Sequence, residues 1–246
     1  MSAATELKLL SAVAVRPAIL DLLPAFEHAT GRKITASFAL NPTVKIRIEA
    51  GELFDVAVIN KDMLEELIKQ GKIAPDGRRA FGRIGLGVAV RAGASKPDLS
   101  SVEALKRALV GATSIAYAGE GSSGAHLTAL LARLGIMKEV GPKLRSVGGG
   151  ETGQAVARGE AELGIVPVTT ILAAAPGAEL AGLFPAELQS YIDFAVGLSA
   201  AARDVGGGNA LMSFLTSPER DDLLRSRGVE RLKEPALGFG RTIAPM

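Results

Sequence analysis

Along almost the whole of this 246-residue chain, short apolar runs of strand length alternate with stretches whose apolar residues recur at helical spacing. That alternation admits few folds. Strands separated by helices pair in parallel, so the pattern predicts an α/β architecture rather than a helical bundle or an all-β sandwich. Residues 7–12 read as the first strand. Pro17 then opens a helix carrying Ile19, Leu20, Leu22, Leu23 and Phe26, because proline suits a first helical turn whose N–H groups have no partner. A second strand spans residues 33–39, and Asn41-Pro42-Thr43 reads as an N-cap followed by proline at the first helical position. A third strand spans residues 55–60 and leads into a helix with Met63, Leu64, Leu67 and Ile68.

Residues 82–91 form a long apolar strand with internal glycines, a pattern that marks bending or close backbone approach. A new βα series then begins, with helices at 102–110, 123–134 and 152–157 and strands at 114–118, 144–147 and 163–168. A second long apolar strand follows at 191–199, and two helical stretches, 209–215 and 218–227, complete the pattern. Two long strands therefore bracket a central βα block. This predicts one lobe inserted into another, with residues 1–84 and 197–246 in lobe I and 85–196 in lobe II.

Composition removes several function classes. Twenty-eight Lys and Arg against 26 Asp and Glu give a net charge of +2, which is no footprint for nucleic acid. Aromatic residues are 4% of the chain and Trp is absent, so stacking platforms for bases are not expected. With no Cys and two His, His28 and His126, neither a thiolate nor a His-rich metal site is expected. No cofactor is implied. No apolar run approaches the length of a membrane span, so direct insertion is not expected. Residues 1–8 lack a basic and then apolar leader, so the sequence as written points to the cytoplasm, or to the periplasm if a leader has been removed.

The most informative segment is Ser114-Ile-Ala-Tyr-Ala-Gly-Glu-Gly-Ser-Ser-Gly-Ala-His126, which runs from a strand through a Gly/Ser turn into a helix. Free N–H groups at such a helix start, with the Ser122 and Ser123 hydroxyls beside them, suit a small oxyanion or carboxylate. The loop lacks the lysine and spacing of a nucleotide-binding P-loop. The plainer alternative is that one of these serines only caps the helix. Three other loops put small or polar residues between a strand end and a helix: 11–16, 41–43 and 148–152. Ligands of open α/β sheets collect outside such strand ends. A cleft between two lobes would bring these loops together on one anion.

The stretches Lys33-Ile-Thr-Ala-Ser-Phe-Ala39, Ile48-Glu-Ala-Gly-Glu-Leu-Phe-Asp-Val-Ala-Val-Ile59 and Gly159-Glu-Ala-Glu-Leu-Gly-Ile-Val166 carry a resemblance to the molybdate-binding-protein-like branch of type II solute-binding proteins. The resemblance covers nearly the whole chain and implies a two-lobed, type II periplasmic-binding-protein-like fold whose lobes are joined by two crossing strands. It also implies ligand contacts at Ala14, Asn41, Ser123, Gly149 with the adjoining Gly150, and Pro167. Ala14 and Asn41 stand where the molybdate pattern has serines, and Pro167 stands where it has a tyrosine. A tetrahedral oxyanion is therefore disfavoured. Arg16 would supply a guanidinium fork matched to a carboxylate, or else is a solvated arginine in the first helical turn. Lys45 and Arg47 read as exposed helix residues.

The broader family resembled here includes aconitate isomerase, which moves a double bond in a tricarboxylate. That chemistry needs a base and donors for developing negative charge. His126 has a suitable ordinary pKa for the base, Glu120 is a second candidate, and an uninvolved surface histidine is the alternative. The expected function is thus binding of a small organic anion, a di- or tricarboxylate, with a membrane permease as partner if the protein is exported. The competing function is a cofactor-independent isomerase of a polycarboxylate. A regulator's effector lobe is disfavoured because no helix-turn-helix precedes Leu7.

Overall fold

A computed structural model describes residues 6–231; residues 1–5 and 232–246, which the sequence division places in lobe I, lie outside the described residues. In the first lobe, β1 (Leu7–Ala12) lies between β2 (Ile34–Ala39) and β3 (Val56–Asn60) and runs parallel to both. Five of its six residues are buried, as expected of a central strand covered on both faces. A single 3-10 turn, Val13–Val15, leads from β1 into α1 (Arg16–Thr30). Helices α2 (Asn41–Glu49) and α3 (Lys61–Lys69) follow β2 and β3. Leu10, Val44, Ile48, Phe54, Ile59, Leu64 and Leu67 close the core between these two helices and the sheet.

The next strand, β4 (Ile73–Arg91), is 19 residues long and belongs to both lobes. Residues 73–85 pair with β9 (Tyr191–Ser199), which itself lies antiparallel to β3. From Leu86 onward the same strand pairs antiparallel with β7 (Leu163–Pro167) and, from Gly87, with β8 (Ala178–Leu183). Beyond β7 lie β5 (Ile115–Tyr117) and β6 (Leu144–Ser146), both parallel in this half. The full order is β2-β1-β3-β9-β4-β7-β5-β6, with β8 on β4. Tyr191–Ser199 is thus paired along its length with lobe I strands, although the sequence division draws the second boundary at 196/197.

Where the two crossings meet, Gln189 ties them together. Its Oε1 accepts from Leu86 N–H and its Nε2 donates to Leu86 O, both at 3.0 Å. A side-chain amide here replaces one rung of the ladder.

The second lobe adds α4 (Val102–Gly111), α5 (Ser122–Arg133), α6 (Met137–Val140), α7 (Thr152–Ala157) and α8 (Val168–Leu172). Its smaller core is built on Ala89, Ala116, Ala155, Val156, Val166 and Ile171. Small side chains let α7 and α8 lie close to the strands, which accounts for the alanine-rich sequence there. The chain then returns to lobe I as α9 (Val205–Thr216) and α10 (Asp221–Ser226). Phe214 of α9 meets Phe26 of α1 edge to face at 5.4 Å. No helix among the described residues is long and apolar enough to cross a membrane.

Candidate functional site

Five strand ends converge where the lobes face each other. The turn after β1 supplies Ala12, Val13 and Ala14, and the end of β2 supplies Leu40 and Asn41. From the other lobe come Ala118, Gly121, Ser122 and Ser123 after β5, Gly150 after β6, and Val166, Pro167 and Thr170 around the end of β7. Together they enclose an inner cavity with about 30 Å³ of free space. An outer cavity of about 480 Å³ adjoins it and shares Val13, Gly150 and Thr170. Arg16, Leu20, Gly149, Glu151 and Gln154 line this outer part.

Helix α5 starts at the inner cavity without a side-chain cap. Its N-cap residue is Gly121, whose carbonyl accepts from the N–H groups of Gly124 and Ala125. The Ser122 and Ser123 N–H groups come before the first intrahelical bond and face the positive end of the helix dipole. The capping alternative for the serines is therefore set aside. Gly124 is required one turn in, since a Cβ there would sit 2.2 Å from Ala118 O. Only glycine lets this helix start so close to the strand it leaves.

Asn41 departs from its expected N-cap role. The N-cap of α2 is Leu40, with Asn41 in the first turn and Pro42 behind it. The Asn41 side chain is buried and turned toward the cleft instead: Oδ1 accepts from Asn60 N–H at 2.9 Å, and Nδ2 reaches Ser122 Oγ of the other lobe at 3.5 Å. A second contact across the cleft is made by Thr169, whose hydroxyl donates to Ala14 O at 2.5 Å.

The inner cavity thus brings together Ala14, Asn41, Ser122, Ser123, Gly150 and Pro167, and the outer cavity takes Arg16 and Gly149. His126 does not join them. It lies exposed on α5 and lines a separate pocket of about 220 Å³ with Leu86, Leu130, Arg133, Phe184 and Ser190. Its position begins the second turn of α5, about 6 Å along the axis from Ser122 at 1.5 Å per residue, beyond the turn that meets the cavity. Glu120 is exposed and lines neither cavity. Lys45 is engaged elsewhere, its pKa raised by hydrogen bonds to Glu49 and then Glu66. Arg47 pairs with Glu52 and donates to Ser37 Oγ at 3.0 Å.

Thr170 and Gln154 were not foreseen from the sequence, and Glu151 lay within the 148–152 loop singled out there without being given a role. Thr170 was findable, since it follows the end of β7 by the same strand-end rule that singled out the other loops. Arg16 and Glu151 are the ionisable side chains lining the two cavities among the described residues. Arg16 stacks over Phe38, 5.6 Å from the ring centre, and pairs with no carboxylate there. Gln154 Oε1 is buried and has no hydrogen-bond partner among the described residues.

Comparisons with known proteins bear on the family and the fold. The chain is 31% identical over 232 residues to an aconitate isomerase of a Pseudomonas species, covering 92% of this chain and 88% of that protein. Among solved structures it resembles the periplasmic molybdate-binding protein of Azotobacter vinelandii, with a TM-score of 0.77 at 21% identity, covering 92% of this chain and 100% of that one. The sulfate-binding protein of Mycobacterium tuberculosis gives a TM-score of 0.77 at 15% identity over 94% of this chain and 88% of its own. At such identities these structures establish the two-lobed fold. The family model for bacterial extracellular solute-binding proteins matches residues 7–230, and the chain belongs to that family.

Proposed function

We propose that this solute-binding protein takes a small organic anion, a di- or tricarboxylate, between its lobes. The observation carrying this reading is the two-part cleft: an inner cavity whose polar side chains, Asn41, Ser122, Ser123 and Thr170, are all uncharged, adjoining an outer one that carries Arg16 beside Glu151. The inner space is small, about 30 Å³, so it suits one end of a ligand. A carboxylate there would meet the Ser122 and Ser123 N–H groups and hydroxyls. The rest of the molecule would occupy the outer part, where a second carboxylate would meet the planar Arg16 fork. If the protein is exported, a membrane permease is its partner.

A thermal-shift panel of di- and tricarboxylates, molybdate, tungstate, sulfate and phosphate tests the reading, because a ligand of the folded state raises its melting temperature. Polycarboxylates should give the largest shifts. A response confined to the inorganic oxyanions would overturn the proposal.

A second reading is favoured by the 31% identity to an aconitate isomerase: the same cleft turns over a polycarboxylate. Following any stabilising ligand by NMR separates binding from turnover.

A further inference from the structure

Resting on the isomerase reading, we propose that Glu151 is the proton-transferring base of the cleft and Arg16 the group that holds the carboxylate next to the reacting carbon. Both line the outer cavity. The Glu151 carboxylate accepts no hydrogen bond and forms no ion pair among the described residues; the exposed Glu120, Glu139 and Glu187 share that state, but of the four Glu151 alone lines the cleft. Glu151 is also exposed, so no packing role accounts for it. Gln154 lines the same wall, its side-chain oxygen buried without a partner among the described residues. A carboxylate and a guanidinium, left unpaired and brought to one cavity by opposite lobes, suit a substrate that carries both an acidic C–H group and a carboxylate.

The substrate class is a polycarboxylate with a methylene group beside a carbon–carbon double bond. Glu151 takes one methylene proton, and the C–H electron pair becomes the new double bond to the central carbon. The former double-bond pair moves to the far carbon, with its charge delocalised into a carboxylate that Arg16 stabilises. Protonated Glu151 then returns the proton to the far carbon. One C–H bond breaks, another forms, and neither an oxidant nor a further reactant is consumed.

The test uses trans- and cis-aconitate as reactive probes and tricarballylate, their saturated counterpart, as a probe of binding alone. Isomer formation and deuterium uptake in D2O are read by NMR, and tricarballylate affinity by calorimetry. The wild type should bind tricarballylate and isomerise aconitate. Glu151→Gln should bind tricarballylate at least as tightly as wild type, since it removes a like charge from the cleft, while its isomerisation and exchange rates fall at least about 100-fold, the low end of what a general base contributes. Isomerisation by Glu151→Gln within threefold of wild type would overturn the assignment, as would a wild type that binds tricarballylate yet neither isomerises nor exchanges. Failure of the wild type to bind any tricarboxylate would appear in calorimetry alone and would remove the polycarboxylate reading as well.

Discussion

Leu40 of lobe I lies so close to Gly149 of lobe II that a methyl group on Gly149 would stand 2.7 Å from Leu40 Cδ2 and 2.8 Å from its Cγ. The same leucine lies 3.2 Å from where a Cβ on Gly121 would be, so it sits against both glycine-bearing loops of the opposite lobe.

Gly149→Ala should therefore hold the lobes ajar. Gly149 does not have a positive φ, so the substitution tests the Leu40 contact rather than backbone strain. With a saturating polycarboxylate, X-ray scattering should give a larger radius of gyration than wild type. Adding Leu40→Ala should restore the compact profile. Unchanged scattering for Gly149→Ala would show that Leu40 moves aside freely.

Ser123→Ala removes a buried hydroxyl at the uncapped start of α5. Affinity for the carboxylate ligand should fall by about 1.5–3 kcal/mol, the range for a hydrogen bond to a charged group. Calorimetry measures the loss, and an unchanged circular dichroism melt would show that the fold survives.

Arg16→Ala should lower polycarboxylate affinity at least tenfold, about 1.4 kcal/mol, short of the roughly 2–5 kcal/mol that truncating one side of a fully buried charge pair costs. Because Arg16 is exposed in the unliganded protein, the melting temperature without ligand should barely change. Calorimetry on a dicarboxylate and its monoester is decisive: equal loss for both would show that Arg16 does not read the second carboxylate.

Asp204 caps α9, accepting from Gly207 N–H at 2.7 Å, and pairs with Arg32. The Gly207 hydrogen bond first, and Arg32 second, hold its carboxyl below the usual range. A depressed folded pKa contributes stability that is fully present above the unfolded value, about 4 for Asp, and is lost as the pH falls through the folded one. Asp204→Ala should cost about 1 kcal/mol at pH 7, as for other N-caps. Urea titrations should show that gap constant down to about pH 4 and narrowing below it.

Elements whose residues agree locally with their final environment are readable in the sequence. Tyr191–Ser199 and Thr152–Ala157 carry apolar spacing that matches strand and helix, and the structure has them at those bounds. The first half of β4 is not readable, because Pro75, Asp76, Gly77, Arg78 and Arg79 look like a loop; the strand forms through β9, with register shifts on either side of Arg78–Ala80. β8 escapes sequence reading because Ala-Glu-Leu-Ala favours helix, and only its pairing with β4 makes it extended. Gly206-Gly-Gly208 looks like a loop yet lies in α9, where a Cβ on Gly208 would come 2.4 Å from Leu198 Cδ1.

The cleft is legible to the same extent. Loops at strand ends can be recognised in the amino-acid sequence, so Asn41, Ser122, Ser123 and Gly150 fall into one group by their positions along the chain. How far a helix advances until its side chains leave the cleft cannot be recognised in that way, and this is why the sequence points to His126. Nor does sequence show which side chain of the 148–152 loop lines the cleft, which leaves Glu151 without a role, while Gln154 lies beyond that loop and has no signal at all.

One strand serves two sheets in this molecule. Its two sets of pairings divide at Gly85–Leu86: residues 73–85 hold β9, and residues 86–91 hold β7 and β8, with no loop between them. Exchanging one lobe therefore means splicing inside a strand whose two halves pair with different partners. Recombination between relatives should tolerate exchanged loops at the strand ends far better than exchanged halves.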